Sequence, residues 1–192
     1  MILTVTLNTA LDITYRVRSL RPHASHRVSE VTERPGGKGV NVARVLAALG
    51  YEVTVTGFTG GATGRVVQEK LAAVPGVVDA LVPVSGATRR TVAVVDDRSG
   101  DTTQLNEPGP TITPSEWSAF LAAYDDLLPA ASAVALCGSC RRASRWARTR
   151  AWSARPAPSR SRSSWTPAAK PCAVASRPAP TSSSRTPTNW RN

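Results

Sequence analysis

The pattern of apolar and polar positions alternates between strand-like and helix-like segments over the first 139 residues. Short apolar, β-branched runs predict buried strands, and apolar residues at helical spacing predict the helices between them. The predicted strands are 2–7, 52–58, 77–82 and 132–137, and the predicted helices are 40–49, 63–73 and 113–128. Strands that alternate with helices predict an α/β fold built on a doubly wound parallel sheet.

Four further segments alternate polar and apolar residues, which is typical of strands with one face in water. They are 12–17, 27–33, 91–96 and 101–105. The last two flank Arg98-Ser99-Gly100, a hairpin signal. These strands predict a second, smaller sheet beside the parallel one.

Local signals mark where two helices begin or end. Thr113 and Glu116 have the spacing of a capping box, and Pro114 occupies the first helical position between them. Gly50 follows the helix at 40–49 as a C′ residue would. We therefore expect a helix to begin after Thr113 and another to end before Gly50.

Composition changes abruptly after Ser139. The chain has 192 residues and a net charge of +11, which averaged over its length would indicate a nucleic-acid or anionic-surface binder. However, residues 140–192 hold 12 Lys and Arg with no Asp or Glu, whereas residues 1–139 hold 12 basic and 13 acidic groups. The tail has no Gly, Leu, Ile, Phe, Tyr or Met and cannot build a core. We expect a domain over 1–139 and a basic, irregular, disordered tail over 140–192.

Several function classes are disfavoured by composition. The sequence has no run of about 18 apolar residues, so no membrane span is predicted. Its start lacks the basic region of a secretory signal. Three cysteines do not form a disulfide framework, so a reducing cytoplasm is expected. Cys137 and Cys140 form a C-x-x-C, which can be redox-active or half of a metal site. Because no second pair exists, we predict neither.

Two glycine-rich loops lie between a strand and a helix, at 34–41 and 57–64. Glycine lets the backbone approach a ligand, and the free N–H groups at a helix start attract anions. A nucleotide P-loop requires Ser or Thr after its lysine, but Gly39 follows Lys38. The loops therefore indicate either a ligand site of another kind or tight turns before helices.

Five segments, taken together and in this order, resemble the ribokinase-like sugar kinases: TLNTALD (6–12), GGKGVNVA (36–43), GFTGGATG (57–64), TRRT (88–91) and NEPGP (106–110). Within that family they are most similar to 1-phosphofructokinase and its sugar-phosphate kinase relatives. The resemblance implies the N-terminal part of a ribokinase-like doubly wound sheet with a small β lid. It implies ATP-dependent phosphorylation of fructose 1-phosphate, or alternatively of tagatose 6-phosphate, with ATP and Mg²⁺ as cofactors.

The resemblance also implies a substrate-binding set. Its members are the sugar-hydroxyl acceptor Asp12, the sugar-orienting Gly37 and Asn41, the phosphate-binding Arg27, Lys38 and Arg89, and Ser139. These residue types suit a phosphosugar, whose hydroxyls need acceptors and whose phosphate needs cationic donors. For each charge alone, a solvated surface position is the alternative.

The chain departs from the family pattern at two positions in these motifs. Thr9 stands where the family has Pro, and Thr91 stands where it has Asn. We expect Thr9 to alter only a turn. At Thr91, whether the substrate contact made by the family's Asn is kept stays an open question.

Family members continue past Gly138-Ser139 with a Leu-Pro-Pro-Gly-like segment, an N-x-x-E motif for the metal–nucleotide end, and a G-A-G-D whose Asp is the catalytic base. The chain shows none of these in 140–192. The resemblance therefore places no catalytic, nucleotide-binding or metal-binding residue in this chain. We predict that the 192-residue protein is catalytically inactive.

A shift of the reading frame after Ser139 accounts for the change. If the last base of each codon is read with the first two of the next, the residues permitted include LPPGVPVGAYAG, LDTSGEALRR and DLVKPNADEL, in family order. Trp165-Thr166 then must encode Asp, because Trp has the single codon TGG. We expect one base to be missing near codons 139 and 140.

Two other function classes stay open from the sequence. The Arg, Ser and Trp of the tail are also typical of a nucleic-acid-binding arm, although a shifted frame would give no specific nucleic-acid partner. The domain could instead be a non-catalytic phosphosugar sensor. Removing residues 140–192 tests the first class, because a genuine arm would carry all the nucleic-acid affinity. Melting that depends on a phosphosugar, and that Asp12→Ala abolishes, would support the sensor. A homodimer through the lid strands is a further expectation.

Overall fold

The computed structural model describes residues 1–138 and the strand Ser163–Trp165. The elements in chain order are β1 (Ile2–Thr6), β2 (Ala10–Val17), β3 (Val28–Gly36), α1 (Lys38–Ala48), β4 (Val53–Thr59), α2 (Gly61–Ala72), β5 (Val77–Pro83), β6 (Arg89–Asp96), β7 (Thr102–Asn106), α3 (Pro114–Leu127), a short 3-10 helix (Leu128–Ala130), β8 (Ala133–Cys137) and β9 (Ser163–Trp165). Every strand and helix predicted from the sequence is present, with ends that differ by a few residues.

The main sheet is parallel throughout, in the order β5-β4-β1-β8-β9. The strand β1 lies between β4 and β8, with Ile2 opposite both Val53 and Ala133. Helices α1 and α2 cover one face and α3 covers the other. This arrangement confirms the doubly wound α/β sheet, whose central strands β1 and β4 are buried on both faces and carry mainly β-branched residues.

A second sheet has the order β3-β2-β6-β7. The strand β2 is antiparallel to β3 and parallel to β6, and β6 and β7 form the predicted hairpin. We call this sheet the lid. Leu11 and Ile13 of β2 are buried against Val67 and Leu71 of α2. Apolar packing therefore fixes the lid on the main sheet and sets the position of the side chains at its near end.

The helix α3 begins at the predicted capping box. The Thr113 hydroxyl accepts from the backbone N–H of Glu116, and the Glu116 carboxylate accepts from the backbone N–H of Thr113. The same carboxylate accepts from the backbone N–H and the hydroxyl of Ser85, at 2.7 and 2.9 Å. Glu116 thus joins the start of α3 to the loop after β5.

Replacing Glu116 with Gln is expected to destabilise the fold at neutral pH and to lose its effect in acid. The backbone N–H groups of Ser85 and Thr113 lower the pKa of Glu116 from 4.5 to about 2. Its stabilisation is therefore complete above the unfolded pKa and disappears as the pH falls from 4.5 to about 2. Urea unfolding should show a loss of about 1 kcal/mol at pH 7 for this cap. Equal losses at pH 7 and pH 2 would contradict the charge-dependent cause.

Part of the predicted tail lies in the described structure. Ser163–Trp165 pairs in parallel with β8, with Val134 opposite Ser163 and Leu136 opposite Trp165. The other residues of the predicted disordered tail lie outside the described residues. Among the described helices, none is both long enough and apolar enough to cross a membrane.

Candidate substrate-binding site

The candidate site lies at the carboxyl end of β1, where the lid begins. Residues 7–9 lead from β1 into β2, and the Thr9 hydroxyl donates to the Thr6 carbonyl at 3.2 Å. The turn predicted to change at Thr9 is thus closed by the threonine side chain. The strands β4 and β8 lie on the two sides of β1. The helix α1, which leads into β4, packs on one face of the sheet, and the helix α3, which leads into β8, packs on the other. Parallel sheets bind ligands at such a switch point.

Asp12 presents a carboxylate on the third residue pair of the lid ladder. In the register of the lid, Asp12 lies between Arg34 of β3 and Thr91 of β6. Burial raises the pKa of Asp12, while a hydrogen bond from Thr91 and the charges of Arg89 and Arg44 act in the opposite direction. The group is a half-buried carboxylate with cationic neighbours, suited to accept hydrogen bonds from ligand hydroxyls.

Thr91 connects Asp12 to Arg89. The Arg89 guanidinium donates to the Thr91 hydroxyl at 2.9 Å and to the Asn8 carbonyl at 3.4 Å. Because the Thr91 hydroxyl accepts from Arg89, its own proton is available for the Asp12 carboxylate. Thr91 is buried. The departure from the family pattern at this position therefore holds two site residues in place.

The start of α1 supplies the glycine-rich part of the site. A methyl group on Gly36 would overlap the Asp12 carboxyl, and one on Gly37, whose φ is +108°, would lie 2.6 Å from the Thr6 methyl. Gly37 is the N-cap and gives no side-chain cap, so backbone N–H groups at the helix start face outward. The backbone thus approaches the Asp12 carboxylate closely at a helix N-terminus.

Two more predicted residues lie on the first turn of α1. Lys38 is exposed and lies against Gly138, with 3.7 Å between its Cβ and a Cβ built on that glycine. The Lys38 charge also opposes the burial that raises the pKa of the Cys137 thiol, so the ammonium lies near the end of β8. Asn41 is exposed one turn further along. Both residues are exposed at the N-terminal end of α1, the helix that follows Gly36 and its close approach to Asp12.

Sequence reasoning missed Arg44. This residue lies on α1 three positions after Asn41, and its charge acts on the Asp12 carboxylate. Its position in the N-V-A-R segment, one helical turn after Asn41, is the signal that could have identified it. The site therefore has a cation on the α1 side of Asp12 in addition to Arg89 on the lid side.

One residue of the predicted set, Arg27, lies away from this cluster. Arg27 precedes Val28, which is opposite Val17, whereas Asp12 is opposite Arg34. Arg27 therefore lies beyond the last pair at the far end of the lid, about 20 Å along the ladder from Asp12. Ser139 lies outside the described residues.

The described residues do not provide a metal centre. Across residues 1–138 and 163–165, no three His, Cys, Asp or Glu side chains lie close enough together to hold a metal ion. The described part of the chain therefore does not by itself provide a site for Mg²⁺.

Comparisons with known proteins find a family model and several solved structures that are similar to this chain. The family model "pfkB family carbohydrate kinase" matches residues 5–155 and so extends past Ser139. A possible 1-phosphofructokinase from Thermotoga maritima is similar at 34% identity and a TM-score of 0.69, over 73% of this chain and 45% of that one.

Escherichia coli phosphofructokinase-2 with fructose 6-phosphate is similar at 29% identity and a TM-score of 0.69, over 73% of this chain and 46% of that one. Its tetrameric inhibited form is similar at 29% identity and a TM-score of 0.66, over 71% and 44%. This chain thus spans less than half the length of these structures. By sequence and by fold, it belongs to the pfkB family of carbohydrate kinases.

Proposed function

We propose that residues 1–138 form the sugar-binding part of an ATP-dependent sugar-phosphate kinase, with fructose 1-phosphate as the substrate. The observation that carries this is the Asp12 carboxylate, linked through Thr91 to Arg89 and placed beside the free N-terminus of α1. The resemblance of the motifs to 1-phosphofructokinase supports this sugar. Tagatose 6-phosphate is the alternative.

The residues have distinct tasks in this proposal. Asp12 accepts hydrogen bonds from sugar hydroxyls, and Gly37 and Asn41 orient the ring at the start of α1. Arg89 and Lys38 bind the substrate's own phosphate, because cationic donors form strong hydrogen bonds to phosphate oxygens.

ATP and Mg²⁺ belong to the proposed activity but not to the described residues. ATP would supply the phosphoryl group, and Mg²⁺ would neutralise its charge during transfer. Since the described residues offer no metal centre and the sequence lacks the G-A-G-D motif that holds the family's catalytic base, we expect the 192-residue protein to bind sugar phosphate without turnover.

Replacing Asp12 with Asn is expected to weaken binding of fructose 1-phosphate by about 10- to 100-fold, the loss of a hydrogen bond to a charged group. The melting temperature should not fall, because burial raises the pKa of Asp12 and the ionised carboxylate therefore costs stability above its folded pKa. Calorimetric titration gives the affinity and thermal melting gives the stability.

The matched control is Asp101→Asn, an exposed carboxylate at the lid hairpin, beyond the far end of β6 from Thr91. It should leave the affinity unchanged. Titration with fructose 1-phosphate, tagatose 6-phosphate and fructose 6-phosphate ranks the substrates. Equal affinities of the Asp12→Asn and parent proteins for all three sugars would contradict the proposed site.

A homodimer through the lid is part of the proposal. The outer strands β3 and β7 have an open edge each, and Val31 and Leu105 on them are exposed. Open edges and exposed apolar residues favour association. Val31→Lys should shift sedimentation equilibrium toward monomer, whereas Val45→Lys on α1 should not. A parent protein that is monomeric at all concentrations contradicts this assembly.

The proposed compartment is the cytoplasm, where a thiol such as Cys137 stays reduced.

A further inference from the structure

A cleft opens at the end of the lid that lies away from Asp12. Its volume is about 800 Å³, which is within the range of small-molecule sites. Its walls are the segment between β2 and β3 and the turn between β6 and β7. The charged and titratable residues that line it are Arg18, Arg21, His26, Asp97 and Arg98. The cleft therefore brings together arginines from two separate parts of the chain.

The Asp96 carboxylate holds the two walls of this cleft together. It accepts a hydrogen bond at 2.8 Å from the backbone N–H of Leu20, in the segment between β2 and β3. It also accepts from the backbone N–H groups of Arg98 and Ser99 at 2.9 and 3.1 Å, in the turn between β6 and β7. These bonds, above all the one from Leu20, lower the pKa of Asp96. The walls are thus fixed to each other by an ionised group.

A second contact shapes the wall formed by residues 21–26. The His26 Nε2 atom lies 2.9 Å from the carbonyl oxygen of Arg21 and 3.1 Å from its backbone nitrogen. Between these two residues, His23 has a φ of +59°, the left-handed conformation in which a chain can turn sharply. The imidazole ring therefore closes this turn and keeps Arg21 at the cleft.

The cleft has an excess of positive charge. Its carboxylate, Asp97, is paired with Arg16, with 2.7 Å between Arg16 Nη2 and Asp97 Oδ1. Three other guanidinium groups form no ion pair or side-chain hydrogen bond with residues 1–138 or 163–165, and these are the groups of Arg18, Arg21 and Arg98. Like charges gathered in one cleft repel each other, and an anion between them removes this repulsion.

We propose that this cleft is a second ligand site of the protein and that it binds a small anion with two phosphate groups. A guanidinium group pairs with phosphate oxygens through two parallel N–H bonds. Three such groups offer more donors than one phosphate can use, and the cleft is larger than one phosphate ion. Inorganic pyrophosphate and a sugar bisphosphate both have the required charge, with adjacent and separated phosphates respectively.

The cleft is separate from the candidate substrate site. Asp12 is opposite Thr91, whereas Val17 is opposite Asp96, five residues further along β2 and β6. Five residues of a strand span about 17 Å. A small anion in the cleft therefore does not reach Asp12, and the inference does not depend on which sugar the substrate site binds.

Calorimetric titration of the 192-residue protein with inorganic pyrophosphate tests the site. We expect saturable binding that Arg21→Ala and Arg98→Ala each weaken by about 10-fold, the loss of a hydrogen bond between charged groups. Two matched controls should keep the parent affinity: Arg65→Ala, an exposed arginine of α2, and Lys38→Ala, an exposed cation of the substrate site. Thermal melting should be the same for all four variants, because each side chain is exposed.

The controls also define the results that overturn the proposal. Equal weakening by Arg65→Ala and Arg21→Ala would assign binding to the general charge of a chain whose residues 140–192 hold 12 Lys and Arg. Weakening by Lys38→Ala alone would place the anion at the substrate site. Absence of saturable binding would leave the cleft without this ligand. None of these results bears on the affinity for fructose 1-phosphate, which the Asp12→Asn comparison measures.

Two further titrations, both in the Lys38→Ala protein, determine the chemistry of the anion. Inorganic phosphate should bind at least about 10-fold more weakly than pyrophosphate, because it engages fewer guanidinium groups. Equal affinities would overturn the assignment of two phosphate groups. Fructose 1,6-bisphosphate distinguishes the two sources, since binding tighter than that of pyrophosphate identifies separated phosphates and weaker binding identifies adjacent ones.

Discussion

Replacing Phe120 with Ala is expected to lower the free energy of unfolding by about 3–5 kcal/mol. Phe120 is fully buried on α3 and has the largest side chain among the fully buried residues. Its ring centroid lies 5.0 Å from that of Phe58 and 5.4 Å from that of Trp117. Removal leaves a cavity between α3 and the main sheet that these rings cannot close, because β4 holds Phe58 in a parallel register.

The loss is large relative to the stability of a typical domain, about 5–15 kcal/mol. Urea unfolding followed by tryptophan fluorescence measures it, since Trp117 lies in the same cluster. The control is Leu49→Ala, an apolar residue at the end of α1 that is 68% exposed, for which a change within about 0.5 kcal/mol is expected. Similar losses in the two variants would show that α3 is not packed as described.

The sequence predicts best where short-range chemistry decides the structure. The α3 start follows from the reciprocal bonds between Thr113 and Glu116, which four consecutive residues can make alone. Gly50 has a φ of +87° after α1, as its place beyond the last helical residue indicated. The alternation of periodicities likewise predicts the two sheets, because burial on one face or both faces leaves a mark on each strand.

Contacts between distant parts of the chain are harder to predict. The bond between Thr91 and Asp12 depends on the parallel pairing of β2 with β6, and the charge of Arg44 depends on where α1 lies relative to the lid. The first arrangement has no local sequence signal. The spacing of Arg44 from Asn41 indicates that both lie on one side of α1, but it does not indicate that this side faces Asp12. The position of Arg27 could not be predicted for the same reason. It depends on the register between β2 and β3, which separates Arg27 from Asp12 along the lid and which the order of the motifs does not indicate.

Replacing Gly57 with Ala should be as damaging as a core deletion, although the change adds a single methyl group. Gly57 has a φ of +153° and lies opposite Thr6 in the parallel pair of β4 and β1. A methyl group there would overlap the carbonyl oxygen of Thr6. That oxygen belongs to the backbone of a strand held on both sides by β4 and β8, so it cannot move away as a flexible side chain could.

Backbone strain and overpacking each cost about 1–3 kcal/mol, so Gly57→Ala should lower the free energy of unfolding by about 3 kcal/mol or more. Gly100→Ala is the matched control, because its φ is +78° and no atom lies within 4 Å of the added group. Its expected cost is the left-handed backbone alone, about 1–2 kcal/mol. Equal losses for the two variants would assign the effect to φ rather than to the clash.

Gly57→Ala should also weaken ligand binding, because it displaces the end of β1 on which the binding site rests. The methyl group of Thr6 lies against Gly37, and its hydroxyl lies against Gly39, so the end of β1 supports the first turn of α1. Displacing Thr6 therefore moves the backbone N–H groups that approach the ligand. At a temperature where Gly57→Ala is still folded, its affinity for fructose 1-phosphate should be lower than that of Gly100→Ala. Titration of both variants at equal folded fractions makes this comparison. Equal affinities would show that displacing the end of β1 does not change the binding site.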